Sequence, residues 1–197
     1  MGKIFYLMGK SSTGKDTMYN RILENKDLNL KPIVLYTTRP IREGEVDGVQ
    51  YNFTDDVKFN DFLNKGLIIE SRTYQTMHGN WIYFTVDDGK IDLDNYSYIA
   101  IGTLESYVEF LKYFGEKKVI PIYIEVEDGE RLSRALKREL KPENKKFKEM
   151  CRRFLADCDD FSEDKIIEAG IKKENRFENI DKDKTEESIK KFILANL

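Results

Sequence analysis

The sequence predicts an α/β fold, a parallel sheet flanked by helices with a strand-rich lobe inserted into it. Three observations carry that expectation. Short apolar runs at 4–8, 32–36, 96–101 and 119–126 alternate with segments of helical pattern, the order of βαβ units. The first run opens directly into a glycine-rich loop, Gly9 to Lys15, reading GKSSTGK. Residues 40–88 break the alternation and hold turn signals and strand-like runs instead.

The elements follow in order. Residues 4–8, IFYLM, form a short bounded apolar run of the kind a buried strand shows. A helix is expected over 16–25, and 32–36 reads as a second strand. Thr54 and Asp55 offer a cap for a helix running to Lys65 and ended by Gly66. Residues 67–69 read as a strand that delivers Glu70 at its end, and 80–86, NWIYFTV, as the next strand. Residues 96–101 are a buried-type strand, and Thr103 caps an amphipathic helix over 104–114 that Gly115 ends. Residues 119–126 form another strand, and Asp128 begins a helix carrying Arg131, Arg134 and Arg138. A lysine-rich break over 141–148 leads into a helix over 147–158 with Arg152 and Arg153. A helical piece near 162–169, a short strand over 176–180 and a closing helix over 185–197 complete the chain.

At 197 residues the chain is long enough for one substantial core. An apolar content of 40% with 35% charged residues describes a soluble globular protein. No apolar run approaches the ~20 residues of a membrane span. The N-terminus shows no charged, apolar and cleavage-site succession, so a cytoplasmic location is expected. Cys151 and Cys158 are seven apart in a helix-like segment, which sets their Cα atoms about 10 Å apart, too far for a disulfide. The net charge of −3 hides a segregation: residues 131–153 hold ten basic and three acidic side chains, residues 154–188 six and twelve. The basic segment calls either for an anionic partner or for a solvated helix face.

The glycine-rich loop fits G-x-x-x-x-G-K, in which glycines let successive backbone N–H groups converge on an anion. The following helix turns its positive end to the same anion, and Lys15 reaches the outer phosphates. A hydroxyl residue that ligates magnesium belongs after the lysine, and here Asp16 stands there, followed by Thr17. A carboxylate at that position can hold the ion directly or through water, or repel the phosphates. The second informative stretch is 37–53, TTRPIREGEVDGVQYNF. Arg39 and Arg42, three residues apart on an irregular loop, suit a phosphate better than a core, because guanidinium pairs bidentately with phosphate oxygens. His78, the single histidine, lies in a loop between two strands with no ligand-spaced Cys or carboxylate, so a plain turn role is expected. Trp81 and Tyr83 read as core residues sooner than ligand contacts.

Together these pieces resemble guanylate kinase, of the P-loop nucleoside monophosphate kinases. The resemblance rests on GKSSTGK at 9–15, TTR-x-x-R-x-GE at 37–45, Tyr51-Asn52-Phe53, Glu70 at the end of a strand, and an arginine-bearing region at 131–153, in an order that covers essentially the whole chain. It implies a P-loop NTPase-type sheet (1–37, 89–130 and 160–197) with a nucleoside-monophosphate-binding lobe at 38–88 and a helical lid at 131–159. It further implies transfer of a phosphoryl group from ATP to GMP or dGMP with Mg²⁺. ATP would be bound by Gly9, Lys10, Ser11, Ser12, Thr13, Gly14, Lys15, Asp16 and Thr17, with Asp16 and Thr17 at the metal. Arg39, Arg42, Tyr51 and Tyr83 would hold the acceptor phosphate with Glu45 close by, and Glu70 would accept hydrogen bonds from guanine. Lys15, Arg134, Arg138 and Arg153 would act on the transferring group. Partners would be the two nucleotides, with no nucleic acid and no membrane, and a monomer or a homodimer equally open.

Three positions depart from the family pattern. Leu35 stands where a guanine-reading serine is expected, IGTLES at 101–106 lacks the family's acidic stretch after that strand, and Asp16 follows the loop lysine. Those departures keep two other readings in play: a related kinase of another phosphorylated acceptor such as a ribose phosphate, and a non-catalytic binding module on the same fold.

Overall fold

The computed structural model describes residues 2–76, 79–141 and 145–197. At its centre lies β1 (Ile4–Met8), every residue of it buried. Because strand side chains alternate between faces, β1 feeds two cores. Ile4, Tyr6 and Met8 pack on one side, Phe5 and Leu7 on the other.

After β1 come α1 (Lys15–Glu24), the edge strand β2 (Lys31–Pro32), β3 (Tyr36–Thr37), β4 (Asn52–Phe53), α2 (Asp56–Asn64), and the long strands β5 (Ile68–Thr76) and β6 (Gly79–Val86). β7 (Tyr98–Gly102), α3 (Leu104–Phe114), β8 (Val119–Glu125), α4 (Asp128–Glu139), α5 (Phe147–Asp160), α6 (Glu163–Glu168), β9 (Arg176–Glu178) and α7 (Lys182–Asn196) follow. Five strands form one sheet in the order β2-β7-β1-β8-β9, all paired parallel. Tyr107 and Phe110 of α3 and Ile166 of α6 cover one face. Met18 and Ile22 of α1 with Ile189 and Ile193 of α7 cover the other. The expected parallel sheet flanked by helices is therefore present, buried on both faces as such sheets require.

A second sheet, β4-β3-β6-β5, holds a small apolar cluster of Phe62, Phe84 and Val86. Asp55 caps α2 by accepting the N–H of Lys58 at 2.8 Å, a contact that contributes about 1 kcal/mol. Gly66 then turns the chain at φ 68°, a left-handed conformation that glycine adopts without steric cost.

Several boundaries differ from the sequence expectation. The single strand expected at 32–36 is two short strands in two sheets. Pro32 has no N–H to donate, and after Ile33 donates to Ile99 O at 2.9 Å the chain leaves the first sheet and enters the second at Tyr36. The strand expected at 67–69 runs on to Thr76, so Glu70 stands near its start, next to a register irregularity between Ile68 and Glu70. By contrast α4 begins at Asp128 as expected, with Glu127 capping it by accepting the N–H of Glu130 at 3.0 Å. Both cysteines are free, as the spacing implied. No helix among the described residues is long and apolar enough to cross a membrane. His78 and the 142–144 part of the expected lid lie outside the described residues.

Candidate active site

A cleft of about 1070 Å³ opens at the C-terminal end of β7 and the start of α1, on the side of the sheet where open α/β folds bind ligands. Lys15, Asp16, Arg152 and Arg153 line one wall, and Leu35, Tyr51, Arg72, Tyr74, Tyr83 and Thr103 the other.

The phosphate loop is shaped by its neighbours. A Cβ on Gly9 would collide with the carbonyl oxygen of Ile124, and one on Gly14 would lie 2.6 Å from Asn179 Nδ2. Gly14 also takes φ 86° as it caps α1. Asn179 donates to Thr13 O at 2.7 Å, and Thr13 Oγ1 donates to Lys10 O at 2.8 Å. The N–H of Ser11 donates to Asp157 Oδ2 at 2.7 Å. Arg131, fully buried, grips the same loop: its Nη1 lies 3.3 Å from both Ser11 O and Asp157 Oδ2, and its Nε donates to Asp128 at 3.0 Å. Among the described residues Lys15 meets only the exposed carboxylate of Asp16, at 3.4 Å, which leaves its ammonium available. Thr17 is exposed beside it, and Lys10 pairs with Asp128 at 3.4 Å. Ser12, at φ 67°, has a buried hydroxyl without a hydrogen-bond partner among the described residues.

The arginine loop is organised on Glu45. Arg39 is 3% exposed, and its Nη1 and Nη2 donate to the two carboxylate oxygens of Glu45 at 2.9 and 2.8 Å. Glu45 also accepts the N–H of Arg42 at 2.8 Å, which leaves the Arg42 side chain exposed. Hydrogen bonds from Arg39 hold the Glu45 carboxyl below its ordinary range, and the same bonds raise the Arg39 guanidinium. Tyr51 and Phe53 each place a ring 5.4 Å from the Arg39 guanidinium, within cation–π range. Tyr83 packs on Tyr51 with ring centroids 5.5 Å apart. Tyr83 and Trp81 both line the cleft, which corrects their reading as core residues.

Glu70 is 4% exposed, and each of its oxygens accepts a hydrogen bond from the protein. Thr85 donates to its Oε1 at 2.8 Å, and Ser106 Oγ and Arg72 Nε donate to its Oε2 at 3.2 Å each. Tyr6 belongs to this cluster, and its hydroxyl occupies the space that a Cβ on Gly102 would need. Burial, reinforced by the charge of Glu70, raises the Tyr6 phenol well above its usual pKa.

The basic helices are only partly gathered here. Arg153 reaches Ser11 Oγ at 3.4 Å. Arg134 donates to Asn179 O at 3.0 Å and to Glu130 at 2.8 Å, beside the phosphate loop. Arg138 pairs with Glu139 at 3.4 Å near the end of α4, away from the cleft lining.

The comparisons with known proteins agree with this architecture. The guanylate kinase family model matches residues 1–87, which contain the phosphate loop, the arginine loop and Glu70. A guanylate kinase of Malacoplasma penetrans is 31% identical over 138 residues, 70% of this chain. In sequence the chain is similar to guanylate kinases, most clearly over its first 87 residues. A second guanylate kinase, from Neisseria gonorrhoeae, is 38% identical over 88 residues, 45% of this chain. These alignments span 58% and 40% of the two relatives' own lengths. The crystal structure of guanylate kinase from Anaplasma phagocytophilum superposes with a TM-score of 0.65 at 22% identity, over 98% of this chain and 85% of that one. This is a likeness of fold.

Sequence reasoning passed over several residues that the fold brings to the site. Arg72, Thr85 and Ser106 hold Glu70, while Asp157, Arg131 and Asn179 hold the phosphate loop. One signal was available: Arg72 and Glu70 are two apart on a strand and so share a face.

Proposed function

We propose that this chain phosphorylates GMP or dGMP to GDP at the expense of ATP, in the cytoplasm. The observation that carries the reading is a cleft with Lys15 and Asp16, at the end of the phosphate loop, on one wall and Tyr51 and Tyr83, packed beside Arg39, on the other. Phosphoryl transfer needs little covalent chemistry, so positioning and positive charge around the moving group do most of the work.

In this reading residues 9–17 hold the ATP phosphates through backbone N–H groups, and Lys15 places its ammonium on the outer ones. Arg39, Arg42, Tyr51 and Tyr83 hold the acceptor phosphate, with Glu45 fixing the two arginines, and Glu70 organises the base end. Arg134, Arg138 and Arg153 belong to a lid, residues 131–159, which closes over a core made of 1–37, 89–130 and 160–197 and an acceptor lobe at 38–88. Lid closure excludes water and so protects ATP from hydrolysis.

Mg²⁺ is the implied cofactor, and the residues present fit it. The Asp16 carboxylate is 82% exposed, lines the cleft and adjoins Lys15. With the Thr17 hydroxyl it offers the oxygen donors that magnesium takes when it is held mainly by substrate phosphates. Bound there, the ion would neutralise charge developing on the phosphoryl group.

The test is an ADP-release assay with ATP, Mg²⁺ and each of GMP, dGMP, AMP, CMP, UMP and ribose phosphates. Turnover with guanine nucleotides is expected. Turnover with a ribose phosphate alone, or with no acceptor at all, overturns the reading.

A further inference from the structure

We infer that Arg72 reads the base of the acceptor, and that the acceptor class is the 6-oxopurine nucleoside monophosphates, hypoxanthine as well as guanine. This rests on the monophosphate-kinase reading above and deepens it.

The wall formed by β5 and β6 is a ladder of cross-strand pairs. Glu70 faces Thr85, Arg72 faces Tyr83, and Tyr74 faces Trp81. The innermost rung is set back: each oxygen of Glu70 accepts from a protein donor, and Glu70, buried, does not line the cleft. Arg72 on the next rung does line it. Among the lining residues of the strand wall, Leu35, Tyr51, Thr73, Tyr74, Gln75, Trp81, Tyr83, Ile101, Gly102 and Thr103 carry no charge, so Arg72 is the charged group an acceptor meets there.

Its orientation is fixed from behind. The Nε donates to Glu70 at 3.2 Å and Nη1 to Thr103 Oγ1 at 3.4 Å, while Nη2 has no hydrogen-bond partner among the described residues. Of the five N–H donors of a guanidinium, these two bonds leave the outer edge of the fork for a ligand. Tyr74 and Tyr83, edge to face at 5.5 Å, stand beside it as apolar walls.

A guanidinium fork is complementary to O6 and N7 of a 6-oxopurine, both acceptors, whereas adenine presents an amino donor where O6 would be. A carboxylate reads the other edge of guanine, where N1–H and the 2-amino group donate. Glu70 is engaged by protein donors, and Gly102 has no side chain and no room for one. Demand for the 2-amino group therefore falls, and discrimination rests on the oxo group. Glu70 acts through Arg72 as a positioning residue.

The experiment is equilibrium binding of GMP, IMP and AMP to the wild type, Arg72→Gln and Arg72→Lys, each checked for folding by circular dichroism. The lysine variant keeps a cation for the buried Glu70, so it reports even if the glutamine variant unfolds. The wild type is expected to bind GMP and IMP within about threefold of each other and AMP at least ~10-fold more weakly, since one good bidentate pair discriminates on that scale. Both variants should weaken GMP and IMP by about tenfold or more and leave AMP nearly unchanged. Equal loss for all three nucleotides would place Arg72 on the phosphate and overturn the inference, as would an unchanged GMP-to-AMP ratio. A wild type that demands the 2-amino group, binding IMP far more weakly than GMP, overturns it too. Oxopurine-selective binding without ATP-dependent turnover would sink the kinase reading but leave the role of Arg72 standing, whereas no purine binding would sink both.

Discussion

Arg131 and Asp157 meet at 3.3 Å beneath the phosphate loop, joining α4 and α5 to Ser11. Arg131 is completely buried with its guanidinium 4.4 Å from the Phe154 ring, and it is charged, so its partners decide whether its burial is tolerable. Removing one partner of a buried ion pair costs about 3–5 kcal/mol, because the other charge is left uncompensated. Arg131→Met is therefore expected to lower the thermal midpoint markedly. Asp157→Asn, which keeps the shape and leaves Asp128 as a partner, should cost less but raise the ATP KM by loosening the loop at Ser11. An unchanged ATP KM in a folded Asp157→Asn protein would separate this junction from the nucleotide site.

Lys15 offers the opposite case. Its one partner among the described residues is an exposed carboxylate at 3.4 Å, and surface pairs of that kind contribute little to stability. Lys15→Ala should leave the unfolding midpoint nearly unaltered while kcat falls by a factor of about 10²–10³ or more, the scale for losing a preorganised group at developing charge. An active Lys15→Ala protein would remove the phosphate-loop assignment.

Arg39 and Arg42 should separate by the same logic. Arg39 is buried against Glu45, Tyr51 and Phe53, so Arg39→Ala should destabilise the second sheet as well as abolish acceptor binding. Arg42 bonds Glu45 through its backbone N–H alone, so Arg42→Ala should raise the acceptor KM with little change in stability. The Glu45 carboxyl is held low by Arg39, and a depressed carboxyl contributes stability that is present above its unfolded value and lost as pH falls through the folded one. The stability contributed by the Arg39–Glu45 pair should therefore be constant from neutral pH down to about pH 5 and drop only below the ordinary carboxylate range near 4.3. A decline that begins near pH 6.5 would assign the linkage to another group.

The scaffold was legible in the sequence because its elements obey simple periods. The bounds of β1 follow from five consecutive buried residues, and those of α3 from the Thr103 cap and Gly115. The outer half of β5, SRTYQT, was not legible. One of its faces lines a cleft, so polar and aromatic side chains replace the apolar alternation that marks a half-buried strand. The split of 32–36 between two sheets depends on pairing with Ile99 and Phe84, partners far away in sequence. For the same reason motif spacing located the phosphate loop and the arginine loop, while Arg131, Asp157 and Arg72 emerged only when distant elements were brought together.

Asp16 is the remaining departure at the phosphate site, and its geometry sets up a clear test. Its carboxylate is exposed, its one ion pair among the described residues is with Lys15, and it lines the cleft beside the loop. A carboxylate near ATP phosphates adds like-charge repulsion unless a cation lies between them, and at 4 Å that repulsion is about 1 kcal/mol in bulk water and several times larger where the site is partly shielded. If Asp16 serves as a magnesium ligand, Asp16→Ser substitutes a neutral oxygen donor for a charged one. The Mg²⁺ concentration needed for half-maximal rate should then rise by about tenfold, while the acceptor KM stays fixed. If it acts only as a repulsive neighbour, Asp16→Ser should lower the ATP KM and leave the magnesium requirement where it was. Titrating Mg²⁺ at saturating GMP distinguishes the two, and the expected result is the first, because Asp16 provides a charged oxygen 3.4 Å from the ammonium proposed to meet the outer phosphates.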